Sequence, residues 1–414
     1  MKKTLVLMVS MIGLLAGVCP LSLAQTNYPN RPVKIIVAFP PGQATDDPTA
    51  FAPPYAGAEG ISLSKQTDQD MGLAYLKRAR GKKSITLDLK STEGHAVFMS
   101  MVENAHVVVE NFRTGVAQRL GIDYPALRAV NPRLVHCALT GFGSTGPSKD
   151  DKAYDLMVQA AVGLMGLTGQ PGAPPVKTAS ALSDAIAGVF ASHGIVAALL
   201  HRERTGEGQS VDVGMTDCLF SMLFDEPIDC YARLNLERRQ GNRIMRFSPF
   251  NTYAAKDGWV AIGAATHEEW LSLIKAMQRE DLLADQQMMQ IGWRIVHNDA
   301  VDAVVSAWTA TLTKDEIVTR LGQASVACSP VRSIEEVMHW PQLLERQMIV
   351  PLVNPLTGDT VAAHGPGFPI KFSQTPAALD VPAPIPGAHS DEVFARLAHL
   401  SPTQIGRLRQ LGIV

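Results

Sequence analysis

Asp184 opens an apolar stretch with helical spacing, Asp184–Arg204. Free backbone N–H groups at a helix start favour a carboxylate and can bind an oxyanion, so the position suits a nucleophile. It suits an ordinary N-cap aspartate equally well on spacing alone. Gly141-Phe-Gly143-Ser-Thr-Gly146 has the GxGxxG spacing after a predicted strand. Pro147 and polar residues follow it where a dinucleotide site needs a helix, so that chemistry is not expected. His267-Glu268-Glu269-Trp270 is not HExxH, and His106, His136, His193 and His201 lack ligand spacing, so no metal is expected. The five cysteines, Cys19, Cys137, Cys218, Cys230 and Cys328, form neither a CxxC site nor a disulfide framework.

The elements that must position such groups alternate between strand and helix. Strands are expected at Ser84–Leu89, Val107–Glu110, Leu134–Leu139 and Gln209–Val213. Helices are expected at Ser91–Asn104 with Ser91 as N-cap, Gly115–Leu120, Pro125–Val130, Tyr154–Leu167 and Asp184–Arg204. Repeated strand–helix units imply a largely parallel sheet covered by helices, an α/β fold. From about residue 222 to 330 the pattern changes to amphipathic helices around one strand pair, Phe250–Ala254 and Trp259–Ala264, which reads as a smaller domain. A Pro-rich tail, Pro376–Pro386, leads to a helix at Asp391–Leu400 and a short closing one.

The chain has 414 residues, 46% of them hydrophobic and 18% charged, with a net charge of −2. This excludes global disorder and leaves no basic excess for nucleic acid. At the front, Lys2 and Lys3, the apolar run Leu5–Val18 and Ser22-Leu23-Ala24 have the layout of a secretory signal peptide, residues 1–24. That run is too short for a comfortable membrane span, and Ile186–Leu200 is broken by Ser192, His193 and Gly194, so no stable span is expected. Residues 28–46, YPNRPVKIIVAFPPGQATD, are similar to the mature start of Bug-family periplasmic tricarboxylate receptors. They read as one strand, Val33–Phe39, closed by Pro40-Pro41-Gly42.

A second resemblance covers about residues 46–414. KKSITLDLKSTEG (Lys82–Gly94), VVENFRTGVAQRLGIDY (Val108–Tyr124), NPRLVHCALTGFGSTGP (Asn131–Pro147), AYDLMVQAAVGLMGLTG (Ala153–Gly169), LSDAIAG (Leu182–Gly188), ALLHRERTGEGQSVDVGMTD (Ala198–Asp217) and GAHSDEVFARL (Gly387–Leu397) closely resemble class III CoA-transferases, the CaiB/BaiF family. The resemblance implies transfer of CoA from an acyl-CoA to a small carboxylic acid, with no metal. It implies a Rossmann-like large domain built from N- and C-terminal parts (residues 47–221 and 331–414), a smaller α+β domain (222–330) and an interlocked homodimer.

It also implies site residues. Asp184 lies in the LSDAIAG motif and takes the nucleophile role, forming an aspartyl-CoA intermediate. Lys152 and Tyr154 match a segment beside the active site, and Met215 a residue packing near the reacting centre. Asp155 reads as a helix cap or structural acceptor. Leu87, Asp88, Leu89, Lys90, Asn111, Phe112, Arg113 and Arg119 match positions that contact coenzyme A, with Lys90, Arg113 and Arg119 as phosphate partners. The related acyl-CoA racemases carry histidine where this chain has Tyr154, and a phenol of pKa near 10 is a poor base at neutral pH. Racemase is therefore the alternative, beside an inactive, exported binding protein.

Two departures are visible. The family's first strand–helix unit is absent, and Val33–Asp46 stands where its second strand would lie. Residues 241–246 lack the glycine run of the formyl-CoA transferase branch, so oxalate or formate is not assigned as substrate. The compartments also differ: CoA chemistry implies the cytoplasm, the leader-like start implies the periplasm.

Overall fold

The computed structural model describes the backbone of residues 35–38, and residues 53–377 and 381–414 in full. The signal-like segment 1–24 and most of the receptor-like segment 25–46 lie outside the described residues. The strands, in chain order, are β1 (Ile35–Ala38), β2 (Tyr55–Gly57), β3 (Gly60–Ser62), β4 (Met71–Gly72), β5 (Val107–Glu110), β6 (Val135–Thr140), β7 (Ser210–Gly214), β8 (Phe250–Ala255), β9 (Gly258–Gly263), β10 (Ala327–Pro330), β11 (Ile349–Val353) and β12 (Thr360–Pro366).

The central sheet has the order β1-β5-β6-β7, and every pair in it is parallel. Ile35 pairs with Val107 and Ala38 with Glu110, so Ile35–Ala38 forms an edge strand of this sheet. Parallel neighbours need long crossovers. These carry helices Leu73–Arg78 and Thr92–Glu103 before β5, Val116–Arg119 and Tyr124–Val130 before β6, and Asp155–Ala161, Leu164–Leu167 and Leu182–Thr205 before β7. Val107, Val135 and Cys137 are fully buried in the sheet. The long helix Leu182–Thr205 lays Ala187, Ala191, Ile195, Ala198 and Leu199 on the core they form.

The C-terminal helices Ser390–Leu397 and Pro402–Gln410 return to the start of the chain. Phe394, Leu397, Ile405 and Leu408 share a core with Val97, Phe98, Met101 and Phe112. This joins N- and C-terminal parts into one large α/β body. Residues 250–330 form a separate core, where Tyr253, Val260 and Ile262 pack on Trp270, Leu273, Val301, Val305 and Ile317.

Several expectations need correction. Ser84–Leu89 joins no sheet, and Leu89 lies in a turn. Its backbone bonds go to the C-terminal turn: the His389 N–H donates to Ser84 O, Asp88 N–H to Ile413 O, and Thr86 N–H to Ser390 Oγ. Tyr154–Leu167 is two helices, because Gly163 at φ 89° breaks it. The strand pair of the small body is a three-stranded antiparallel sheet, β10-β9-β8. The hairpin of β11 and β12 was not anticipated; its 351–353 irregularity hides the alternation. The helix Leu182–Thr205 is, contrary to expectation, long and apolar enough to cross a membrane. Ser192, His193 and Gly194 do not interrupt it.

Candidate active site

The long helix begins two residues before Asp184. Ala181 is its N-cap and makes no side-chain capping bond. Asp184 is therefore in the first turn and is not the N-cap, which corrects the bland reading. The capping is done from another element. Asp155 opens helix Asp155–Ala161, and its Oδ1 accepts from both the N–H (2.9 Å) and the Oγ (2.8 Å) of Ser183. Its Oδ2 accepts from Gln159 Nε2 at 2.8 Å. Gln159, fully buried, also donates to Thr178 Oγ1 and accepts from the Thr178 N–H. Each atom of this chain of contacts has a partner, which is what fixes a buried polar cluster in one geometry.

Asp184 stands next to Ser183 in sequence and accepts no hydrogen bond from the described residues. It is an exposed residue. Partial desolvation raises its carboxyl pKa, the Asp155 charge adds to the rise, and Arg78 opposes it. Asp155 itself stays acidic: desolvation pushes it up, but the bonds from Gln159 and Ser183 prevail and Lys177 helps. The pair thus has one carboxylate held by three donors and one with no hydrogen bond from the described residues.

Tyr154 immediately precedes Asp155 and is 67% exposed. Lys152 is also exposed, so both reach the surface beside this junction. Met215 opens the helix Met215–Leu223 and is buried in the core beneath the long helix.

The residues expected to hold coenzyme A fall into three groups. Leu89, Lys90 and Arg119 line one groove of about 370 Å³ with Ser91, Thr92, His95 and Leu120. The groove lies over the start of helix Thr92–Glu103, whose N-cap Ser91 accepts from the Gly94 N–H. Asp88 shapes the approach: its Oδ1 accepts from the Lys90 N–H and its carbonyl from Ser91 Oγ. Gly94 is needed there, since a Cβ would lie 2.0 Å from Asp88 O. Leu87 packs with Leu89 against the large core.

The second group follows β5. Phe112 is 2% exposed, so its ring belongs to the core under the site. Asn111 Oδ1 is buried with no partner among the described residues, as is Thr140 Oγ1 at the end of β6. Both lie at the carboxyl edge of the parallel sheet, where open α/β sheets receive ligands. Arg113 forms the third group alone. It donates through Nε and Nη2 to Asp150 O, tying the 148–151 turn to β5.

Sequence reasoning missed Arg78, Gln159, Thr140 and Glu110. Gln159 was findable as the i+4 neighbour of Asp155 on one helix face. Glu110 is 5% exposed, and its Oε2 accepts from the Phe112 N–H at 2.6 Å. Burial raises its pKa to about 7, against that hydrogen bond and with some help from Asp212. The Gly141–Gly146 loop opens no helix: turns run on to Asp155. Its Ser144 N–H and Oγ donate to Asp212 instead. Among the described residues, no group of three His, Cys, Asp or Glu is placed to hold a metal.

A parallel α/β body with an available aspartate on a helix's first turn, and two cations over another helix start, has the parts of a group-transfer enzyme. The family model for CoA-transferase family III matches residues 45–390, and the chain belongs to that family. It is 32% identical over 359 residues to the succinate–glutarate CoA-transferase of Agrobacterium fabrum, covering 86% of this chain and 87% of the relative. It is 33% identical over 348 residues to the succinyl-CoA–L-malate CoA-transferase alpha subunit of Chloroflexus aurantiacus, covering 83% and 80%. The crystal structure of a CaiB/BaiF family protein from Brucella suis superposes with a TM-score of 0.71 at 29% identity, covering 88% of this chain and 91% of that one. The chain is thus similar to enzymes that transfer CoA between acids, and residues 1–44 stand outside the family match.

Proposed function

We propose that the protein transfers CoA from a short acyl-CoA, succinyl-CoA first among candidates, to a small dicarboxylic acid, with Asp184 as nucleophile. The names of the two relatives support the substrate class. The observation that carries the site is the available Asp184 carboxylate beside the fully engaged Asp155.

An Asp184 oxygen attacks the thioester carbonyl, the C–S bond breaks, and CoA leaves as thiolate. The product is a mixed anhydride of Asp184 and the acyl group. The thiolate then attacks the Asp184 carbonyl carbon, releasing the donor acid as a carboxylate and leaving an aspartyl-CoA thioester. The acceptor carboxylate reverses both steps. No net proton moves, so a tyrosine at position 154 serves where a base would not be needed. This favours transfer over racemisation. Lys90 and Arg119, over the start of helix Thr92–Glu103, are suited to the CoA phosphates.

The long helix turns Val189 (67% exposed) and Val196 (66%) outward, and Phe220 and Met222 of the next helix are exposed as well. An apolar face of this size marks an interaction surface. It supports the interlocked homodimer and explains the helix's hydropathy without a membrane. Residues 1–46 are proposed to be a receptor-like leader joined to a transferase, with the mature chain's location decided by whether that leader is processed.

The test traps the intermediate. Protein incubated with succinyl-CoA and hydroxylamine is expected to carry a hydroxamate at Asp184, mapped by peptide mass spectrometry. Unmodified Asp184 together with unchanged thioester would defeat the proposal.

A further inference from the structure

Arg80 is 7% exposed, yet none of its hydrogen bonds reaches an acid. Its Nε donates to Lys77 O at 3.2 Å and its Nη2 to Pro366 O. Its Nη1 is buried with no partner among the described residues. A buried guanidinium without a counter-charge is costly, and proteins ordinarily pair it. Burial alone acts on this one, drawing its pKa down, with no carboxylate among the described residues opposing the effect.

Arg80 lines a pocket of about 80 Å³ whose other walls are apolar: Leu76, Val350, Pro351, Val353, Val381 and Ala383, with Pro382. One water needs only ~10–15 Å³, so the space suits several heavy atoms. The walls are fixed. The Gly81 N–H donates to Val381 O at 3.0 Å, and Tyr75 Oη to Pro384 O at 2.8 Å. Gly365 lets the guanidinium lie on β12: a Cβ there would be 3.0 Å from Nη2.

We propose that this pocket binds a short-chain aliphatic carboxylate, with Arg80 meeting the charged end and the Leu76–Val350–Val381 walls the chain. One cation in an apolar cup selects that amphiphilic chemistry over a halide, a phosphate or a neutral alcohol. The carboxylate arrives either as a free monocarboxylic acid or as the far end of a dicarboxylic acid. The proposal concerns binding alone and does not rest on the transfer reading.

The probes are butyrate and glutarate, titrated calorimetrically into the full-length protein, with butanol and butylamine as controls. Saturable binding of butyrate, of glutarate or of both is expected, and neither control should bind. Arg80→Gln should weaken it at least about tenfold, the equivalent of ~1.4 kcal/mol. Because Arg80→Gln also alters the bond to Pro366, a second variant is needed. Val381→Trp, at a position 59% exposed, keeps Arg80 and fills the cup; it should abolish binding too. Butyrate alone identifies a monocarboxylate, and a tighter glutarate a dicarboxylate. Absence of saturable binding, or wild-type binding in either pocket variant, would overturn the assignment.

Discussion

Asp302 and Asp184 are both helix aspartates, and the contrast between them separates support from chemistry. Asp302 is buried in the small body and accepts from Tyr253 Oη (2.6 Å), Arg243 Nε (2.8 Å) and Asn251 Nδ2 (2.8 Å). Arg243 is shared with the exposed Asp299, and burial beside Asp302 pushes the Tyr253 phenol upward. Every lone pair of Asp302 that matters is spoken for, so the residue can position others but cannot attack. Asp184 has the reverse arrangement. Its neighbours restrain the backbone through Ser183 and leave the carboxylate itself without a hydrogen bond from the described residues, partly desolvated and beside a like charge. A carboxylate is useful as a nucleophile only when it is ionised and not already engaged.

Replacing Asp184 by Asn breaks the comparison most severely. Transfer between succinyl-CoA and glutarate should fall by about 10³-fold or more, since the covalent route is lost. The urea midpoint should hold steady or rise, because a partly desolvated charge beside Asp155 has been removed. A large stability loss with retained specific activity would show Asp184 to be a structural residue like Asp302. Asp302→Ala should do the opposite. Leaving Arg243 and Tyr253 without their acceptor should cost about 3–5 kcal/mol in urea unfolding of the small body. The Asp184 hydroxamate should still form in the protein that remains folded.

Lys90 and Arg119 extend the contrast to a surface site. Lys90→Ala or Arg119→Ala should each raise KM for succinyl-CoA about tenfold, with kcat and the acceptor KM little changed. Added salt should narrow the gap to wild type, because exposed phosphate contacts are screened. A loss confined to kcat would move these cations from the proposed CoA groove to the reacting centre.

How much of this was legible in the sequence differs between the same regions. The parallel strands β5, β6 and β7 were visible because buried β-branched runs alternate with amphipathic helices. Ser84–Leu89 failed as a strand although its alternation is clean. Alternation reports one buried face, and here that face rests on the C-terminal turn through His389 and Ser390, some 300 residues away. The Asp184 helix start was legible to within two residues, but the agent of its capping was not. Asp155 reaches Ser183 across 28 positions, and no local pattern encodes that contact. That Arg80 Nη1 has no partner among the described residues was equally hidden, since a missing partner leaves no mark in a sequence. Lys90 and Arg119 came from motif likeness, and their meeting in one groove follows from Gly115 at φ 81° turning the chain into the helix that carries Arg119.

The smallest effect is the most discriminating, because it lies on the link between the two carboxylates. Asp155 remains ionised through the working range, and its charge raises the Asp184 pKa. Asp155→Asn should therefore lower the Asp184 pKa and move the acid limb of kcat/KM for acyl-CoA to lower pH, by less than about one unit at this exposed site. The stability signs differ. Asp155, with a depressed pKa, contributes stability that is present above its unfolded pKa and lost as pH falls through the folded one. The variant should thus be less stable at neutral pH, and the difference from wild type should close in acid. Asn also sets its Nδ2 against Gln159 Nε2, and Gln159 cannot turn over without losing the Thr178 N–H bond, so two donors face each other. A structural aspartate of the Asp302 kind would show only the stability loss. Movement of the acid limb in the stated direction, alongside that loss, distinguishes a residue that sets the nucleophile's charge from one that merely holds its helix.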